Sequence, residues 1–417
     1  MKRLLPVIAV LFATAISAQD LVEVSYGPSY KNQAYYRLSD DATTSLDNSS
    51  WDIAFTTYGN NVAGIHFNES AVTFGAEAAL YLAPTNNFDD PINAGDLTDR
   101  LYNDEKSWDY GAFNSTRDIN DPNDFGWGNL DAGTGDIIGS KVFVLRFKNG
   151  TFQKLQILSL TQGVYTLKHA DLNGSNETTF TVDKANFQDS DFAFLALATG
   201  QTLPSIPHNW DLAFLRYAAP NDDGAGGVIQ IMSSGVLSAP GVEVAQADNV
   251  VPSEVAFADY EDSLSTELDI IGSDWKFFNN VSWTLAADRA YFVKAPDGNV
   301  WKLVFVDFGG SATGNVVFSK ELVVQTKVGE EAGAFGNVVL YPNPTSDDAT
   351  LLFSAKTAGH AHVQVANLFG QNVWTGSCHA TAGFNAAQLP LGHLPAGQYL
   401  VTAKLGTEVL AQKIVKQ

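Results

Sequence analysis

Short apolar runs separated by turn residues occupy most of the chain, and this pattern predicts strands. The stretch "NSSWDIAF" (48–55) shows the pattern clearly. Alternate side chains of a strand point to opposite faces, so Trp51, Ile53 and Phe55 share one face while Asp52 and its neighbours share the other. We expect a large apolar stripe packed on a core and opposed by a small or polar face.

Turn signals between these runs support the same interpretation. Asn149-Gly150 and Asp297-Gly298 are pairs that tolerate positive φ, and alternating apolar residues flank both. Each pair therefore predicts a β-hairpin. Helical periodicity is weak, and only the segment 251–269 predicts short helical turns. The body of the chain is predicted to be all-β.

The strand pattern occurs twice in the chain. The stretch "PHNWDLAF" (207–214) repeats residues 48–55 after a shift of 159 residues. The run 141–160 is likewise similar to the run 289–308, and the features come in the same order in both halves. We interpret this as a duplication that produced two tandem related β modules, module A at 19–180 and module B at 181–327.

Composition limits the partners. Asp and Glu number 46 against 24 Lys and Arg, for a formal net charge of −22. Such a charge repels nucleic acid and anionic membranes, so neither is an expected partner. Beyond the N-terminus no apolar run reaches the roughly 18 residues of a membrane span, so no transmembrane segment is predicted. The single cysteine, Cys378, can form no internal disulfide.

The N-terminus predicts export. Lys2 and Arg3 precede an apolar run over 4–15, and Ala18 ends the small-residue stretch before a polar pair. This order is that of a secretory signal peptide over 1–18. It predicts passage to the periplasm as the first step of secretion.

The C-terminus carries a more specific sorting signal. It contains "VLYPNPT" (339–345), "LPLGHLPAGQYLV" (389–401) and the basic ending "KIVKQ". These stretches resemble the type A C-terminal sorting domain of the type IX secretion system, which we assign to 337–417 after a linker at 328–336. The resemblance implies a small Ig-like β-sandwich, recognition by the type IX machinery, and delivery to the outer cell surface or the medium. The motif residues are Tyr341, Pro342, Asn343, Pro344, Leu394, Pro395, Gly397 and Tyr399.

The body also resembles a known family. A "WDIAF" strand followed far downstream by a "VKAPDGNVWKL" hairpin is similar to the HmuY-like family of secreted haem-binding proteins. That resemblance implies an all-β fold and haem held between two axial histidines. His66 and His169 are the pair we select for haem; His208 and Met232 are the other possible donors before the sorting domain.

An acidic loop is a second candidate site. The stretch "RDINDPNDFGWGNLDAGTGD" (117–136) is rich in Asp and Asn and contains glycines. Calcium prefers six to eight hard oxygen ligands, which such a loop can supply, although the spacing is not that of an EF-hand. Asp118, Asn120, Asp121 and Asp124 are the calcium ligands we select. Turn formation is the alternative role for the same residues.

Catalytic motifs are missing from the sequence, so we expect a protein that is not an enzyme. It has no G-x-S-x-G, H-E-x-x-H, phosphate-loop or C-x-x-C pattern. The first hypothesis is a non-catalytic surface binding protein with haem as its ligand. The alternative is a structural or adhesive protein that binds glycan or protein through calcium-ordered loops. A secreted hydrolase stays as the third, because carboxylate pairs suitable for a glycosidase are too numerous to assess individually.

Overall fold

A computed structural model describes residues 20–59, 62–70, 78–279, 281–325, 335–355, 358–367, 370–381, 383–405 and 408–417. The chain forms two compact units, Met1–Gln325 and Thr326–Gln417. The predicted signal peptide (1–18) and nearly all of the predicted linker (328–336) lie outside the described residues. Within the described ranges, no helix is long and apolar enough to cross a membrane.

The first unit is built from antiparallel strands, which confirms the all-β prediction. In chain order they are β1 (Asp20–Ser25), β2 (Asn32–Tyr36), β3 (Thr43–Asp47), β4 (Ile53–Thr56), β5 (Ile65–Phe67), β6 (Ala79–Leu82), β7 (Arg100–Leu101), β8 (Gly128–Leu130), β9 (Ile137–Gly139), β10 (Phe143–Arg146), β11 (Phe152–Thr161), β12 (Val164–Asp171), β13 (Thr178–Asp183), β14 (Phe192–Ala196), β15 (Gln201–Thr202), β16 (Leu212–Asp222), β17 (Val228–Ser238), β18 (Glu243–Asp248), β19 (Lys276–Phe278), β20 (Trp283–Leu285), β21 (Arg289–Lys294), β22 (Val300–Phe308) and β23 (Asn315–Val324).

Helical structure among the described residues of this unit is limited to single turns. Two of them, Phe257–Asp259 and Glu261–Ser263, fall in the segment predicted to hold short helical turns. The remaining 3-10 turns are Pro28–Tyr30, Ala94–Asp96, Ala112–Asn114 and Lys184–Phe187, and the one α-helical turn, α1, is Gly310–Thr313.

Four sheets form two sandwich-like lobes in the first unit. The first lobe, with strands within 53–202, packs the sheet β13-β12-β11-β10-β6-β7 against the sheet β15-β14-β4-β5; β9 and β8 extend the larger sheet beside β11. The second lobe, with strands within 20–47 and 212–324, packs β1-β23-β22-β21-β18 against β17-β16-β2-β3, and β19 and β20 form a separate hairpin. The apolar faces of each sheet pair meet in a core.

The predicted boundary at 180/181 separates the sequence repeats but not the lobes. Strands β1 to β3 from the first repeat join sheets of the second lobe. Strand β13, which contains the predicted boundary, and β14 and β15 from the second repeat join sheets of the first lobe. The two copies therefore exchange their first three strands. The physical reason is that β-sheet hydrogen bonds are non-local, and alternation along one strand indicates its buried face but not its partner.

The register of the exchange is the same in both lobes. Tyr35 of β2 lies opposite Ala213 of β16, and Phe194 of β14 lies opposite Ala54 of β4. A shift of 159 residues converts Tyr35 into Phe194 and Ala54 into Ala213. The pairing thus maps onto itself with the copies interchanged, which is the pairing expected of two related β units.

The second unit is a smaller sandwich. Its strands are β24 (Phe335–Tyr341), β25 (Ala349–Ala355), β26 (Gly359–Asn367), β27 (Asn372–Ala380), β28 (Gly383–Leu389), β29 (Gly397–Leu405) and β30 (Glu408–Lys416). The sheet β24-β25-β28 and the sheet β27-β26-β29-β30 share one apolar core. Val363 and Val365 on β26 are both buried in this core.

Candidate functional site

A groove of about 950 Å³ lies on the first lobe, and the predicted acidic loop forms one of its walls. The opposite wall comes from the turn between β11 and β12 and from the helical turn after β13. The apolar residues that line it include Phe125, Leu130, Ile137 and Leu160. The polar and charged residues that line it include Tyr110, Arg117, Asp118, Asp121, Asn123, Asp124, Gln162, Asp183, Lys184 and Gln188. The groove therefore combines hydrogen-bonding walls with apolar contact surface.

The carboxylates of the acidic loop are acceptors for the loop's own backbone. Asp118 accepts the N–H of Asn120 at 2.9 Å, and Asp121 accepts the N–H of Asn123 at 2.9 Å. Asp124 accepts two N–H groups, from Asp118 at 2.9 Å and Gly126 at 2.7 Å. These are turn-stabilising bonds of the kind that Asp and Asn side chains make in loops.

The geometry of the loop does not support the predicted calcium site. Asp118, Asn120, Asp121 and Asp124 do lie in one loop, but the three aspartates accept N–H groups of successive turns and the Asn120 amide donates to Asp118. Across the described ranges of the chain, no group of three or more His, Cys, Asp or Glu side chains is placed to hold a metal ion. The structure supports the alternative role in turn formation.

Two cations give the groove its electrostatic character. The guanidinium of Arg117 lies 3.5 Å from the centre of the Tyr110 ring, a cation–π contact. The Lys184 ammonium donates to the carbonyl of Val62 at 2.7 Å, and burial lowers its pKa to about 8. Both cations are held by groups of the protein, so they set the shape of the groove more than they attract anions.

His66 lies away from the groove, at the interface between the lobes. It is on β5, and its Nε2 lies 2.9 Å from the carbonyl oxygen of Trp108, to which it donates. Its ring packs edge-on against Trp108 and Phe192. Burial lowers the pKa of His66 to about 4, so the ring is neutral at pH 7. The cavity beside it measures only about 50 Å³.

His169 occupies a different sheet. It lies on β12, where its Nδ1 is 3.0 Å from Oε1 of Gln153 and its ring stacks on Phe180. His169 is not among the residues that line the cavity beside His66. The structure does not bring the two histidines selected for haem to one site, because one faces the second lobe and the other lies within the first lobe's larger sheet.

The interface between the lobes contains a buried acid that sequence reasoning missed. Glu69 accepts the N–H of Asn103 at 2.8 Å and the N–H of Ala218 on β16 at 3.1 Å. One carboxylate thus joins the two lobes, and burial raises its pKa to about 7. Its local sequence, "FNES", looks like an ordinary loop, and only the fold reveals the role.

The sorting motif ties the two ends of the second unit together. Asn343 donates to the carbonyl of Lys413 at 2.9 Å and accepts the N–H of Val415 at 2.9 Å. Tyr341 ends β24, and Pro342 and Pro344 flank Asn343. In the second motif, which includes Leu394, Pro395 and Gly397, the Tyr399 hydroxyl donates to the carbonyl of Pro395 at 2.8 Å. The motif residues therefore hold the C-terminal strand and its preceding turn.

Comparison with known proteins agrees with this assignment. Residues 339–417 match the family described as "Secretion system C-terminal sorting domain". The protein is therefore exported by the type IX route to the cell surface or the medium, and its sorting domain implies an interaction with the secretion machinery. The match does not extend to the first unit, so it lends no support to the resemblance of the body to the HmuY-like family.

The other comparisons give little. No curated protein matches the chain. Dimeric latent PorU from Porphyromonas gingivalis is 11% identical over 68% of this chain and 32% of that one, with a TM-score of 0.18. Escherichia coli alpha-2-macroglobulin activated by porcine elastase is 11% identical over 96% of this chain and 44% of that one, with a TM-score of 0.17. The chain spans less than half the length of either structure, and such scores support no inference.

Proposed function

We propose that the protein is a non-catalytic binding protein of the cell surface whose ligand is a glycan chain held in the groove of the first lobe. The observation that carries this proposal is the groove itself, an open space of about 950 Å³ with Asn, Gln and Asp side chains above apolar residues. Sugar hydroxyls pair with carboxamides and carboxylates, and the C–H faces of sugar rings pack on apolar and aromatic side chains.

Binding is favoured over hydrolysis by what the groove's carboxylates do. Asp118, Asp121 and Asp124 accept backbone N–H bonds of their own loop, and Asp183 caps the following helical turn by accepting the N–H of Ala185 at 2.9 Å. A glycosidase needs one carboxyl group free to donate a proton and another free to act as base or nucleophile. Carboxylates committed to turns are suited to hydrogen bonding instead.

Haem is disfavoured as the ligand. The cavity beside His66 is far smaller than a porphyrin, and His169 belongs to a different part of the first lobe. A porphyrin held between two axial imidazoles requires both rings at one slot.

The test is a binding titration of the secreted protein against a panel of soluble polysaccharides by isothermal calorimetry. We expect one or more to bind, and the double variant Asn123→Ala, Gln188→Ala to weaken that binding roughly thirtyfold, because each of the two lost hydrogen bonds removes about 1 kcal/mol. Both side chains are exposed and line the groove. The matched control is Gln230→Ala on the second lobe, which is equally exposed and should bind like the wild type.

Two outcomes would reject the proposal. One is the absence of binding to every polysaccharide in the panel. The other is a Soret shift on titration with haemin that is lost in the His66→Ala, His169→Ala variant, which would restore haem as the ligand.

A further inference from the structure

Two histidines lie side by side on the exposed face of a sheet in the second unit. His360 of β26 and His379 of β27 are directly opposite each other in the antiparallel register. Both side chains are exposed, whereas the next pair along, Ala361 and Cys378, packs on the core. Side chains opposite each other on one face of a sheet have Cβ atoms about 4.5–5.5 Å apart. The register therefore holds the two imidazoles next to each other in solvent.

The separation of the two rings fits one metal ion shared between them. The ring centres of His360 and His379 are 5.2 Å apart. Zinc bonds imidazole nitrogen at about 2.0–2.1 Å with tetrahedral angles, so two imidazoles on one zinc ion have ring centres about 5 Å apart. Neither ring has a hydrogen bond or an ion pair with another described residue. Because exposed side chains change rotamer rapidly, both rings can turn a nitrogen towards a common ion.

The third histidine of this face has a different environment. His362 lies two residues after His360 on β26 and is also exposed. Its partner on the other side, Lys404 of β29, is exposed too, and its ammonium repels a second cation. Within the described sheet β27 is an edge strand, so no further strand places such a cation beside His379. The charges therefore favour the cross-strand pair over the two histidines of β26.

We propose that His360 and His379 bind one divalent transition-metal ion of the group Cu²⁺, Ni²⁺ and Zn²⁺. Imidazole suits these ions, whereas Mg²⁺ and Ca²⁺ prefer oxygen ligands. Since the described residues group no three His, Cys, Asp or Glu side chains around an ion, water fills the other coordination positions. The formal net charge of −22 favours the approach of cations.

Such an ion would join the edge strand β27 to its neighbour β26. A ligand that binds only the folded state adds its binding free energy to the stability of that state. Metal binding should therefore stabilise the second unit, which carries the sorting motif. The site lies outside the first unit, so it does not rest on the proposed glycan groove.

The experiment titrates the full chain, with residues 337–417 retained, with Cu²⁺, Ni²⁺ and Zn²⁺ by calorimetry. We expect saturable binding, with Cu²⁺ bound most tightly according to the usual affinity order of divalent ions. An excess of Mg²⁺ or Ca²⁺ should not compete. His360→Gln and His379→Gln should each weaken Cu²⁺ binding roughly tenfold or more, because the second imidazole otherwise binds at a high effective concentration.

The matched controls are His393→Gln and His362→Gln, which remove other exposed histidines of the same unit. Both should bind Cu²⁺ like the wild type. Saturating Zn²⁺ should raise the melting temperature of the second unit in the wild type and in both controls, but not in His360→Gln or His379→Gln. Electron spin echo spectra should show Cu²⁺ coupled to two imidazoles in the wild type and to one in His360→Gln. Circular dichroism checks that the variants are folded.

Three results would overturn the inference. Absence of saturable binding of all three ions would mean that the two rings are only neighbours on the surface. A loss in His362→Gln as large as that in His360→Gln would mean that the ion is held along β26 and not by the cross-strand pair alone. Equal losses in His393→Gln and His360→Gln would mean scattered binding to surface histidines.

Discussion

The two lobes share their buried contacts closely and differ at their edges. The Trp51 ring lies 4.9 Å from Phe194 at 72°, and the Trp210 ring lies 5.0 Å from Tyr35 at 74°. The aspartate after each tryptophan accepts a backbone N–H from the residues that follow an exchanged strand. Asp52 accepts from Leu197, after β14, at 2.8 Å, and Asp211 accepts from Leu38, after β2, at 2.7 Å. In both lobes, the Trp-Asp pair therefore contacts the exchanged strand through the indole ring and binds the backbone after that strand through the carboxylate.

The differences lie in what extends from this shared frame. In the first lobe β4 pairs with the short strand β5, whereas in the second the corresponding strands β16 and β17 form a long hairpin. The groove belongs to the first lobe. The contacts around the two tryptophans are therefore alike in both lobes, while the groove lies where the lobes differ.

The largest expected effect comes from cutting the chain at the lobe boundary instead of the repeat boundary. A fragment of residues 51–205 contains every strand of the first lobe, including β13 to β15 from the second repeat. We expect it to fold alone with a cooperative melting transition. A fragment of residues 51–177 lacks β13 to β15, so β4 and β12 each lose one of their two neighbouring strands. This fragment should show no such transition by circular dichroism. Similar melting of both fragments would refute the exchanged arrangement.

Sequence reasoning recovered the parts of this fold that local pattern encodes. The turns at Gly150 and Gly298, whose φ values are 84° and 83°, follow from turn chemistry. The faces predicted around Trp51 were wrong: Trp51 packs with Ala54 in the core cluster of the second lobe, whereas Ile53 and Phe55 pack in the core of the first lobe. Strand β4 is buried on both faces, and alternation in the sequence separates two faces without showing that both are covered. The exchange does not follow, because β1 pairs with β23 across nearly the whole unit and no local pattern indicates such a partner.

The candidate sites divide in the same way. The acidic loop was identified from composition, and it does line the groove, but its carboxylates proved to be turn acceptors. The buried acid Glu69 had no sequence signal, since its hydrogen-bond partners Asn103 and Ala218 are distant from it in the chain. His66 and His169 were selected by residue type, which carries no information about distance.

A second prediction compares the two lobes by removing Trp51 and Trp210 one at a time. Trp51→Ala and Trp210→Ala should each lower the free energy of unfolding by about 3–5 kcal/mol, the usual cost of deleting a buried aromatic ring. Trp210→Ala should be worse by about 1–3 kcal/mol, since Asp191 loses its hydrogen bond while Trp51 has no such partner within the described residues. Urea unfolding measures both; a larger loss for Trp51→Ala would contradict the proposed asymmetry.

A third prediction concerns the acid that joins the lobes. The pKa of Glu69 is raised to about 7 from 4.5, so between these values the folded state holds a proton that the unfolded state releases. Its contribution to stability is complete below pH 4.5 and is lost as the pH rises through 7, about 3 kcal/mol in all. Glu69→Gln cannot titrate, and its stability should therefore depend less on pH across this range.

Urea unfolding at several pH values between 4.5 and 7.5 tests this expectation. The matched control is Glu105→Gln, an acid that lines the same interface cavity, where the pH dependence of the wild type should persist. If Glu69→Gln and the wild type had parallel stability curves, Glu69 would not be the titrating group.

The smallest effect at neutral pH is expected where the copies differ by one buried residue. His66 lies opposite Ala54 on β4, and the corresponding partner of Ala213 on β16 is Leu237. His66→Leu makes the copies alike and removes one hydrogen bond to Trp108, a loss of about 1 kcal/mol at pH 7. Burial holds the pKa of His66 at about 4, below its usual 6.5, so the unfolded state binds the proton first on acidification. Wild-type stability from this group is therefore complete above pH 6.5 and falls as the pH decreases towards 4, whereas the variant lacks that loss. The melting temperatures of the wild type and the variant, measured from pH 7 to pH 4.5, should converge and then cross. A constant difference between the two proteins would show that His66 stays solvated enough to titrate normally.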